Sequence, residues 1–482
     1  MNPSIAIIGT GFGGLAAAIE LRKRGFDDIV ILEKADDVGG VWRENTYPGA
    51  ACDVPSPFYS YSFEPNPRWP HRFSRQPAIL DYIRGVADKY DLKRHIHFGS
   101  EVEGATYDQD SGKWTVDIAG AEPLVVDVLV PAVGQLSRPA YAPIPGRESF
   151  AGPSFHSAEW DHDVDLSGKR VAVIGTGASS VQFVPEVAQV ADHLDLFQRS
   201  APYIMPRPDR KFSAMHGKVF EKLPVTQLAE RYTWASAVES LSVAWIYSRA
   251  LARTLRGASR LHMKLQTKSK PGLFEKVWPD YPIGCKRILF SNNYLPALAR
   301  ENVDVVTDRI AEITATGVVT TDGVEHAADV IIWGTGFKAT EILAPMEIAR
   351  SDGHRLADEW KAGPHAYYGM AVPGFPNLQI MYGPNTNTGG GSVIFFLEAQ
   401  AKHVADYVAH VARTGQPHVV RREVEEAHDR EVQASLSGSV WSQCTSWYRQ
   451  ADGRIPTNWP GLSGQYRKGV RFDSDDYERA TV

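Results

Sequence analysis

The sequence SIAIIGTGFGG at residues 4–14 returns in altered spelling as RVAVIGTGASS at residues 170–180. Each copy is a short apolar run followed by a glycine-rich turn and a helix-forming segment, which is typical of a buried parallel strand that leads into a helix. Glycine suits this turn because the turn is tight and because its backbone must approach a pyrophosphate closely. The repeat therefore predicts an α/β fold with two dinucleotide-binding (Rossmann-like) domains.

The residues after the first turn support a nucleotide site. A helix is predicted from Leu15 to Lys23 and a strand from Ile29 to Leu32, and Glu33 follows about 20 residues beyond the last glycine, where a carboxylate can accept hydrogen bonds from ribose hydroxyls. The predicted contacts are Gly9, Gly11, Gly13, Gly14 and Glu33. The alternative is a glycine-rich turn in an α/β domain that binds nothing.

The second copy differs at the corresponding strand end. The strand Leu194–Gln198 runs into Arg199 instead of an acid. A carboxylate there would repel a 2′-phosphate, whereas arginine can bind one bidentately, and Lys286 can add a second positive charge. The residues thus favour NADPH over NADH, although Arg199 can also be read as a solvated strand end.

The composition of the chain limits the class of protein to which it can belong. The 482 residues are enough for two or three domains, and 43% hydrophobic and 22% charged residues are ordinary for a globular protein. A net charge of −6 gives no electrostatic case for nucleic-acid binding. No apolar run reaches the ~18 residues that a membrane span needs, and the nearest, 234–255, is interrupted by charges and is expected to be an amphipathic helix.

Cysteine placement and the start of the chain bear on location. Cys52, Cys285 and Cys444 lie far apart and form no Cys-x-x-Cys pair, so we expect neither a disulfide framework nor a metal site. This usage suits a reducing compartment. The first strand begins near Ile5 and leaves no room for a signal peptide, so a cytoplasmic location is expected.

A third motif lies between the two glycine turns. Residues 150–161, FAGPSFHSAEWD, read F-x-G-x-x-x-H-x-x-x-W-D. A linker of this spelling between two such turns resembles the signature of the type I Baeyer–Villiger monooxygenases, which are class B flavoprotein monooxygenases. The resemblance covers nearly the whole chain.

The resemblance implies a domain plan in which an NADP domain is nested in an FAD domain. The FAD-binding domain would take residues 1–148 and 338–482, with a control loop near 446–461. The NADP-binding domain would take 149–212 and 281–337. A helical insertion would take 213–280. It could serve either as a lid over the active site or as a dimerisation element, so both a monomer and a homodimer are compatible with the sequence.

The linker residues have implied roles. His156 would couple the movement of the two nucleotide domains, and Trp160 favours the ketone-oxidising branch, because relatives that oxygenate amines and sulfides usually have Phe or Tyr there. The two residues are four apart, so they would share a face if the segment were helical. A histidine without this context is more often structural.

The flavin contacts are also implied by the resemblance. They include residues of the segment GGVWRENTYPGAACD at 39–53 and others further along the chain. An isolated aspartate such as Asp53 usually caps a turn, but the surrounding spelling favours a position at the flavin and nicotinamide. The helix expected after Ser392 would direct its N-terminus at the flavin. The implied contacts are Gly40, Val41, Trp42, Asp53, Tyr59, Val102 and Val393.

The same resemblance places Lys286 at the NADP phosphate and Arg287 over the flavin, with Asp53 holding the arginine. Oxygen transfer through a C4a-peroxyflavin needs a fixed positive charge, and arginine does not titrate in this range. Without the context, a Lys–Arg pair on a solvated loop would be the better interpretation. The implied NADP contacts are Thr176, Gly177, Ser179, Ser180, Gln182, Arg199, Ser200, Lys286, Arg287 and Trp447.

The sequence therefore predicts an enzyme with FAD and NADPH that uses O2 to convert a ketone into an ester or lactone, with Arg287, Asp53, His156 and Trp160 as its functional residues. The alternative is an amine- or sulfide-oxygenating flavin monooxygenase. A disulfide reductase would need a redox-active cysteine pair, and a non-catalytic redox sensor would have no use for the Asp–Arg pair. No metal, membrane or nucleic-acid site is predicted.

Overall fold

The computed structural model describes residues 2–480 of the chain. Its strands in chain order are β1 (Ile5–Ile8), β2 (Ile29–Leu32), β3 (Ile96–His97), β4 (Val102–Asp108), β5 (Lys113–Ile118), β6 (Leu124–Val126), β7 (Val128–Pro131), β8 (Ser154–His156), β9 (Arg170–Ile174), β10 (His193–Phe197), β11 (Ile204–Met205), β12 (Leu289–Phe290), β13 (Val303–Val306), β14 (Ile310–Ile313), β15 (Gly317–Thr320), β16 (Glu325–Ala327), β17 (Val330–Trp333), β18 (Glu347–Arg350), β19 (His418–Val420) and β20 (Tyr477–Arg479).

The α-helices in chain order are α1 (Phe12–Lys23), α2 (Val41–Glu44), α3 (Gln76–Lys89), α4 (Ala178–Val190), α5 (Ala214–Lys222), α6 (Pro224–Ile246), α7 (Arg249–Thr267), α8 (Leu273–Val277), α9 (Tyr294–Leu298), α10 (Leu356–Glu359), α11 (Val393–Thr414), α12 (Arg422–Ser437) and α13 (Ser463–Gly469). Short 3-10 helices occupy Lys93–His95, Arg147–Ser149, Ser157–Glu159, Val440–Gln443 and Ser474–Asp476.

The first sheet is parallel and has the strand order β3-β2-β1-β7. Every residue of β1 and β7 is buried, because the sheet is covered on both faces. Helix α1 packs against α11, which comes from the far end of the chain. The first predicted helix is confirmed, although it begins at Phe12 and not at Leu15, because the turn after β1 is only a few residues long.

The second sheet is also parallel, with the order β13-β10-β9-β17-β8. Strands β9 and β10 flank helix α4 in sequence as β1 and β2 flank α1, so the predicted repeat is confirmed. Strand β8 lies at the edge and comes from the linker motif, where His156 is paired in register with Trp333 of β17. The linker is therefore part of the second sheet.

A third sheet joins chain segments that come before and after the second sheet. Strands β4, β5 and β6 form an antiparallel meander, and β18 pairs parallel with β4. The meander begins at Val102, because His97 ends β3 in the first sheet. The unit around the first sheet thus contains both ends of the chain, with the second sheet inserted between them.

The insertion between β11 and β12 is helical, as predicted, and comprises α5, α6, α7 and α8. Large apolar side chains are exposed along it, including Met215, Val225, Tyr232 and Leu261. Among residues 2–480, no helix is long and apolar enough to cross a membrane.

Two expectations are corrected. Cys285 and Cys444 form a disulfide across a sequence separation of 159, with their Cα atoms 6.2 Å apart, so the prediction that the cysteines form no disulfide is wrong for this pair. The sequence spacing could not reveal it because only the fold brings the two residues together. His156 and Trp160 do not share a helical face, because β8 and a single 3-10 turn occupy the linker.

Candidate functional site

The first glycine turn has no room for side chains. Gly9 has φ +102°, a backbone conformation that favours glycine, and a Cβ on Gly14 would lie 1.9 Å from the carbonyl oxygen of Gly9. Gly11 faces Gly40, whose Cβ would lie 3.1 Å from the Gly11 Cα. The turn, the N-terminus of α1 and the segment at Gly40 thus form a cradle of bare backbone that suits a pyrophosphate.

Glu33 lies at the end of β2 with a buried side chain. One carboxylate oxygen accepts hydrogen bonds from the Thr10 amide at 3.0 Å and the Thr10 hydroxyl at 2.5 Å, and the other accepts the Ala35 amide at 3.1 Å. Thr10 was missed by the sequence reasoning, although it lies within the glycine motif. The carboxylate retains lone pairs that can accept ribose hydroxyls.

Two buried hydroxyls at helix N-termini support nucleotide binding. Ser180 lies in the first turn of α4 and Ser392 lies immediately before α11, and neither Oγ has a hydrogen-bond partner within residues 2–480. A buried hydroxyl without a partner is costly unless a ligand satisfies it. Ser180 follows the second glycine turn, so the residues there fit a bound nucleotide, and Ser392 follows a separate glycine-rich turn at residues 389–391.

Of the predicted flavin contacts, Val41 and Trp42 directly follow Gly40 of the cradle. The Trp42 indole nitrogen donates a hydrogen bond to the Tyr59 hydroxyl at 3.1 Å, and the two rings meet edge to face. Val41 begins α2, Val102 begins β4, and Val393 begins α11, and all three are half-buried. Their contacts with a flavin stay predictions.

The second glycine turn repeats the geometry of the first. Gly175 has φ +108°, and Gly177 caps α4. The Thr176 hydroxyl donates to the Ser200 carbonyl at 2.8 Å, and the Lys286 ammonium donates to the Ser200 hydroxyl at 2.8 Å. Residues from three separate segments therefore converge at the end of β10.

Two cations lie together at this point. Burial lowers the pKa of Lys286, and the positive charge of Arg199 lowers it further. In the part of the chain that the structure describes, Arg199 has neither an ion pair nor a hydrogen bond, and its side chain is exposed. Two neighbouring cations without an ion-pair partner suit an anion such as a phosphate.

Gln182 of α4 connects the two nucleotide-binding units. Its amide nitrogen donates to the Ala51 carbonyl at 2.8 Å, and its amide oxygen accepts the Ala51 amide at 3.1 Å and the Tyr47 hydroxyl at 3.0 Å. Tyr47 also interacts with the half-buried Ser179. Both ends of the Gln182 amide are thus used by the loop before Asp53, and its contact with NADP stays a prediction.

Asp53 and Arg287 form a bidentate ion pair. The Arg287 Nε donates to one carboxylate oxygen at 2.9 Å and an Nη donates to the other at 2.7 Å. The side chains retain exposed fractions of 22% and 31%, so the pair stays accessible from one side. The spatial pairing that the resemblance implies is present.

The charges of the pair reinforce one another. Burial acts to raise the pKa of Asp53, but the positive charges of Arg287 and Arg207 outweigh it and hold the pKa below its usual value. The carboxylate of Asp53 raises the pKa of Arg287 well above its usual value. Both groups are therefore ionised at neutral pH.

The sequence reasoning missed Arg207, which supports the loop that carries Asp53. One Arg207 Nη donates to the carbonyl oxygens of Cys52 and Phe73, each at 3.1 Å. Arg207 also lines a cavity of about 280 Å³ together with Ala51, Gln182 and Ser291. No local pattern marks this arginine, because its partners lie far away in sequence. Cys52 itself is buried, and burial raises the pKa of its thiol, which disfavours the nucleophilic thiolate.

Tyr448 was also missed, and it lies against the ion pair. Its side chain is buried, its hydroxyl interacts with the backbone of Arg287, and burial raises its pKa to about 12. Trp447, which was predicted, is 43% exposed, and its ring packs on that of Tyr448. The adjacent aromatic residues Trp447 and Tyr448 were a signal in the sequence that could have indicated Tyr448.

The linker residues lie apart from the ion pair. His156 is buried between the rings of Tyr141 and Phe337, its Nδ1 accepts the Ala158 amide at 3.1 Å, and burial lowers its pKa. The ring of Trp160 packs against Phe155 and Phe183. A neutral histidine between two aromatic rings suits a structural joint, and the coupling role stays a prediction.

Comparisons with known proteins identify the family of this chain. A family model described as flavin-binding monooxygenase-like matches residues 2–341. A Baeyer-Villiger monooxygenase of Streptomyces coelicolor is 42% identical over 98% of this chain and 92% of its own length. Two solved structures cover nearly all of both chains. A steroid monooxygenase bound to NADP has a TM-score of 0.88 at 29% identity and 100% coverage of each chain, and OTEMO in complex with FAD and NADP has a TM-score of 0.89 at 27% identity and 99% coverage. The chain therefore belongs to the flavin-binding monooxygenase-like family, among the Baeyer–Villiger monooxygenases.

Proposed function

We propose that this protein is an NADPH-dependent flavoprotein that inserts one oxygen atom of O2 next to a ketone carbonyl and yields an ester or lactone. In the balanced reaction, ketone, NADPH, a proton and O2 give ester, NADP⁺ and water. The observation that carries the proposal is the bidentate Asp53–Arg287 pair, which is ionised and still partly accessible.

The two cofactors have separate sites in this proposal. The first glycine turn, Glu33 and the N-terminus of α11 hold FAD, with Trp42 and Tyr59 beside the ring system. The second turn, Ser180 and the Arg199–Lys286 cluster hold NADPH by its phosphates. When bound, FAD accepts hydride from NADPH and activates O2, which no side chain of this chain can do.

Arg287 provides a permanent positive charge next to the reacting centre. Negative charge develops on the ketone oxygen as the carbonyl carbon is attacked, and a preorganised guanidinium stabilises it without reorganising water. Asp53 fixes the guanidinium plane through two hydrogen bonds. Because neither group titrates near neutrality, the charge is present throughout the working pH range.

The alternative, oxygenation of amines or sulfides, makes no use of this charge. Those substrates attack with a lone pair and develop no oxyanion. Trp160 in the linker also favours the ketone branch, as expected from the resemblance.

The test is Arg287→Ala beside Arg287→Lys. We expect Arg287→Ala to bleach its flavin with NADPH, yet to form ester roughly 100- to 1,000-fold more slowly, as when one group that stabilises an oxyanion is removed. Arg287→Lys keeps a charge but loses the bidentate geometry, so its rate should be intermediate. Stopped-flow absorbance and ester analysis on a panel of cyclic and aryl ketones give both rates. Normal ester formation by Arg287→Ala would remove the arginine from the reaction.

A further inference from the structure

The disulfide lies between two parts of the candidate site. Cys285 is two residues before Arg287, and Cys444 is four residues before Tyr448. The hydroxyl of Tyr448 in turn interacts with the backbone of Arg287. Residues 285–287 and 444–448 are therefore linked twice, once by the disulfide and once by the Tyr448–Arg287 contact. Each link makes it easier for the other to form.

The segment is attached by the disulfide and by a second apolar cluster, in which Tyr448 packs with Trp441 and Leu436. Cys285 is fully buried in an apolar cluster with Tyr203, Tyr281 and Ile283, and Cys444 packs against the outside of that cluster. Between Trp441 and Tyr448 the chain is otherwise at the surface, since Gln443, Thr445 and Trp447 are all exposed. Tyr448 is therefore a buried side chain on a largely exposed segment, and the disulfide attaches that segment to the protein.

The two cysteine residues of the disulfide differ in burial. Cys285 is buried, whereas Cys444 is half-buried and belongs to the surface segment. A dithiol can therefore approach the Cys444 sulfur, and the Cys285 thiolate is the leaving group. The remaining cysteine, Cys52, is buried and stays outside this exchange.

We propose that Tyr448 is a positioning residue for Arg287 and that the Cys285–Cys444 disulfide holds it there, so that oxygen transfer depends on the redox state of this pair. The proposal rests on the proposed function. Reduction consumes one dithiol, which becomes a disulfide, and leaves two protein thiols. Reoxidation by hydrogen peroxide consumes one peroxide and the two thiols and releases two water molecules, and hydrogen peroxide is what a flavin monooxygenase forms when oxygen transfer fails.

Reduction of the disulfide should impair oxygen transfer without impairing reduction of the flavin. Without the tether, we expect Tyr448 to lie less closely against Arg287, whose side chain then becomes less well oriented. The two glycine turns lie outside the segment, and Lys286 keeps its hydrogen bond to Ser200, so we expect NADPH still to reduce the flavin. A larger share of NADPH then produces hydrogen peroxide in place of ester.

The first experiment uses variants of the full-length holoenzyme. We expect Cys285→Ser, Cys444→Ser and the double variant to share one phenotype, in which the ester-to-peroxide ratio falls roughly fivefold while the rate of flavin bleaching by NADPH stays the same. Tyr448→Phe should show the same fall and add nothing to Cys285→Ser, since the two act through one contact. Tyr90→Phe, which removes a hydroxyl bonded to Glu64 away from the site, is the matched control.

The second experiment does not depend on ester formation. Alkylation under denaturing conditions should modify one cysteine in the oxidised protein and three after treatment with dithiothreitol. Trypsin should cleave after the exposed Arg449 faster once the protein is reduced. If the wild type makes no ester but responds in both assays, the proposed function fails while the tether stands. Three free thiols in the aerobic enzyme, or independent effects of the two cysteine variants, would overturn the tether.

Discussion

Asp53 and Arg287 are 234 positions apart in the chain, yet they meet in a bidentate pair. An arginine in this geometry presents two donors to one carboxylate in a plane that lysine cannot reproduce. Removing two charged groups from water is costly, and the ion pair offsets this cost only because both of its hydrogen bonds are made. At the scale of single residues, the candidate chemistry therefore depends on a contact that no local motif encodes.

Arg199 carries the prediction on cofactor choice. Its guanidinium is free within the described chain and lies beside Lys286, so we expect Arg199→Gln to raise the KM for NADPH roughly 10- to 100-fold, as for the loss of a charge-assisted hydrogen bond. The KM for NADH should change little, because NADH has no 2′-phosphate. Steady-state kinetics with both nucleotides measures the ratio, and an equal rise for both would contradict the assignment.

At the scale of elements, the unit formed by β1, its turn and α1 is almost completely determined by local constraints. The apolar run is buried on both sides, and the glycines allow α1 to start directly above the strand. The second unit, β9 with α4, follows the same rules. Such elements are readily predicted because strand, turn and helix are adjacent in sequence.

Gly14→Ala tests how closely α1 packs on the turn. The new Cβ would lie 1.9 Å from the Gly9 carbonyl oxygen, so the turn must open and we expect the protein to be isolated without FAD. Gly85→Ala in α3 is the matched control, since its Cβ meets nothing within 4 Å and the substitution should stabilise the helix by about 1 kcal/mol. The flavin absorbance of each purified protein gives the result, and full flavin content in Gly14→Ala would count against the cradle.

The first turn of α12 interacts through Glu425 with His365, a histidine whose charge depends on pH. The His365 Nδ1 lies 2.8 Å from the Glu425 carboxylate. Burial opposes protonation of His365, but the hydrogen bond and charge of Glu425 outweigh it and raise the pKa above 6.5. A raised pKa in the folded state means that the pair stabilises fully below about pH 6.5 and loses this contribution as the pH rises through the folded-state pKa.

We therefore expect the difference in thermal midpoint between wild type and His365→Gln to be largest near pH 6 and to shrink toward about pH 9. Differential scanning calorimetry across this range measures it. A difference that grows with pH would show that the histidine is neutral in the folded protein.

At the scale of the whole molecule, the two nucleotide-binding units must hold their cofactors in register for hydride transfer. Gln182 of α4 bonds to the loop that leads to Asp53, and Arg207 bonds to the same loop at the Cys52 carbonyl. The ring of His156 lies between the linker and the segment that returns to the first unit. These contacts connect the placement of NADPH with the placement of the ion pair.

Gln182→Leu should therefore slow the reduction of the flavin by NADPH about tenfold while the FAD content stays normal, because the Ala51 amide and carbonyl lose their partners. Gln189→Leu on the same helix is the control, since the Gln189 amide bonds only within α4, to the Pro185 carbonyl at 2.8 Å. Anaerobic stopped-flow absorbance measures the rate. Equal rates in both variants would mean that the interdomain contact does not orient the cofactors.

The sequence by itself determined the repeated strand–turn–helix units, the acid at the end of β2 and the basic residue at the end of β10, since each depends on neighbours within about 20 residues. The linker and arginine motifs indicated the family and hence the candidate site residues. The tertiary structure alone decided that Cys285 pairs with Cys444, that Tyr448 lies on Arg287 and that Gln182 bonds to the other unit. Those contacts join residues more than 100 positions apart, and such pairs are specified by how sheets and helices pack and not by local spacing.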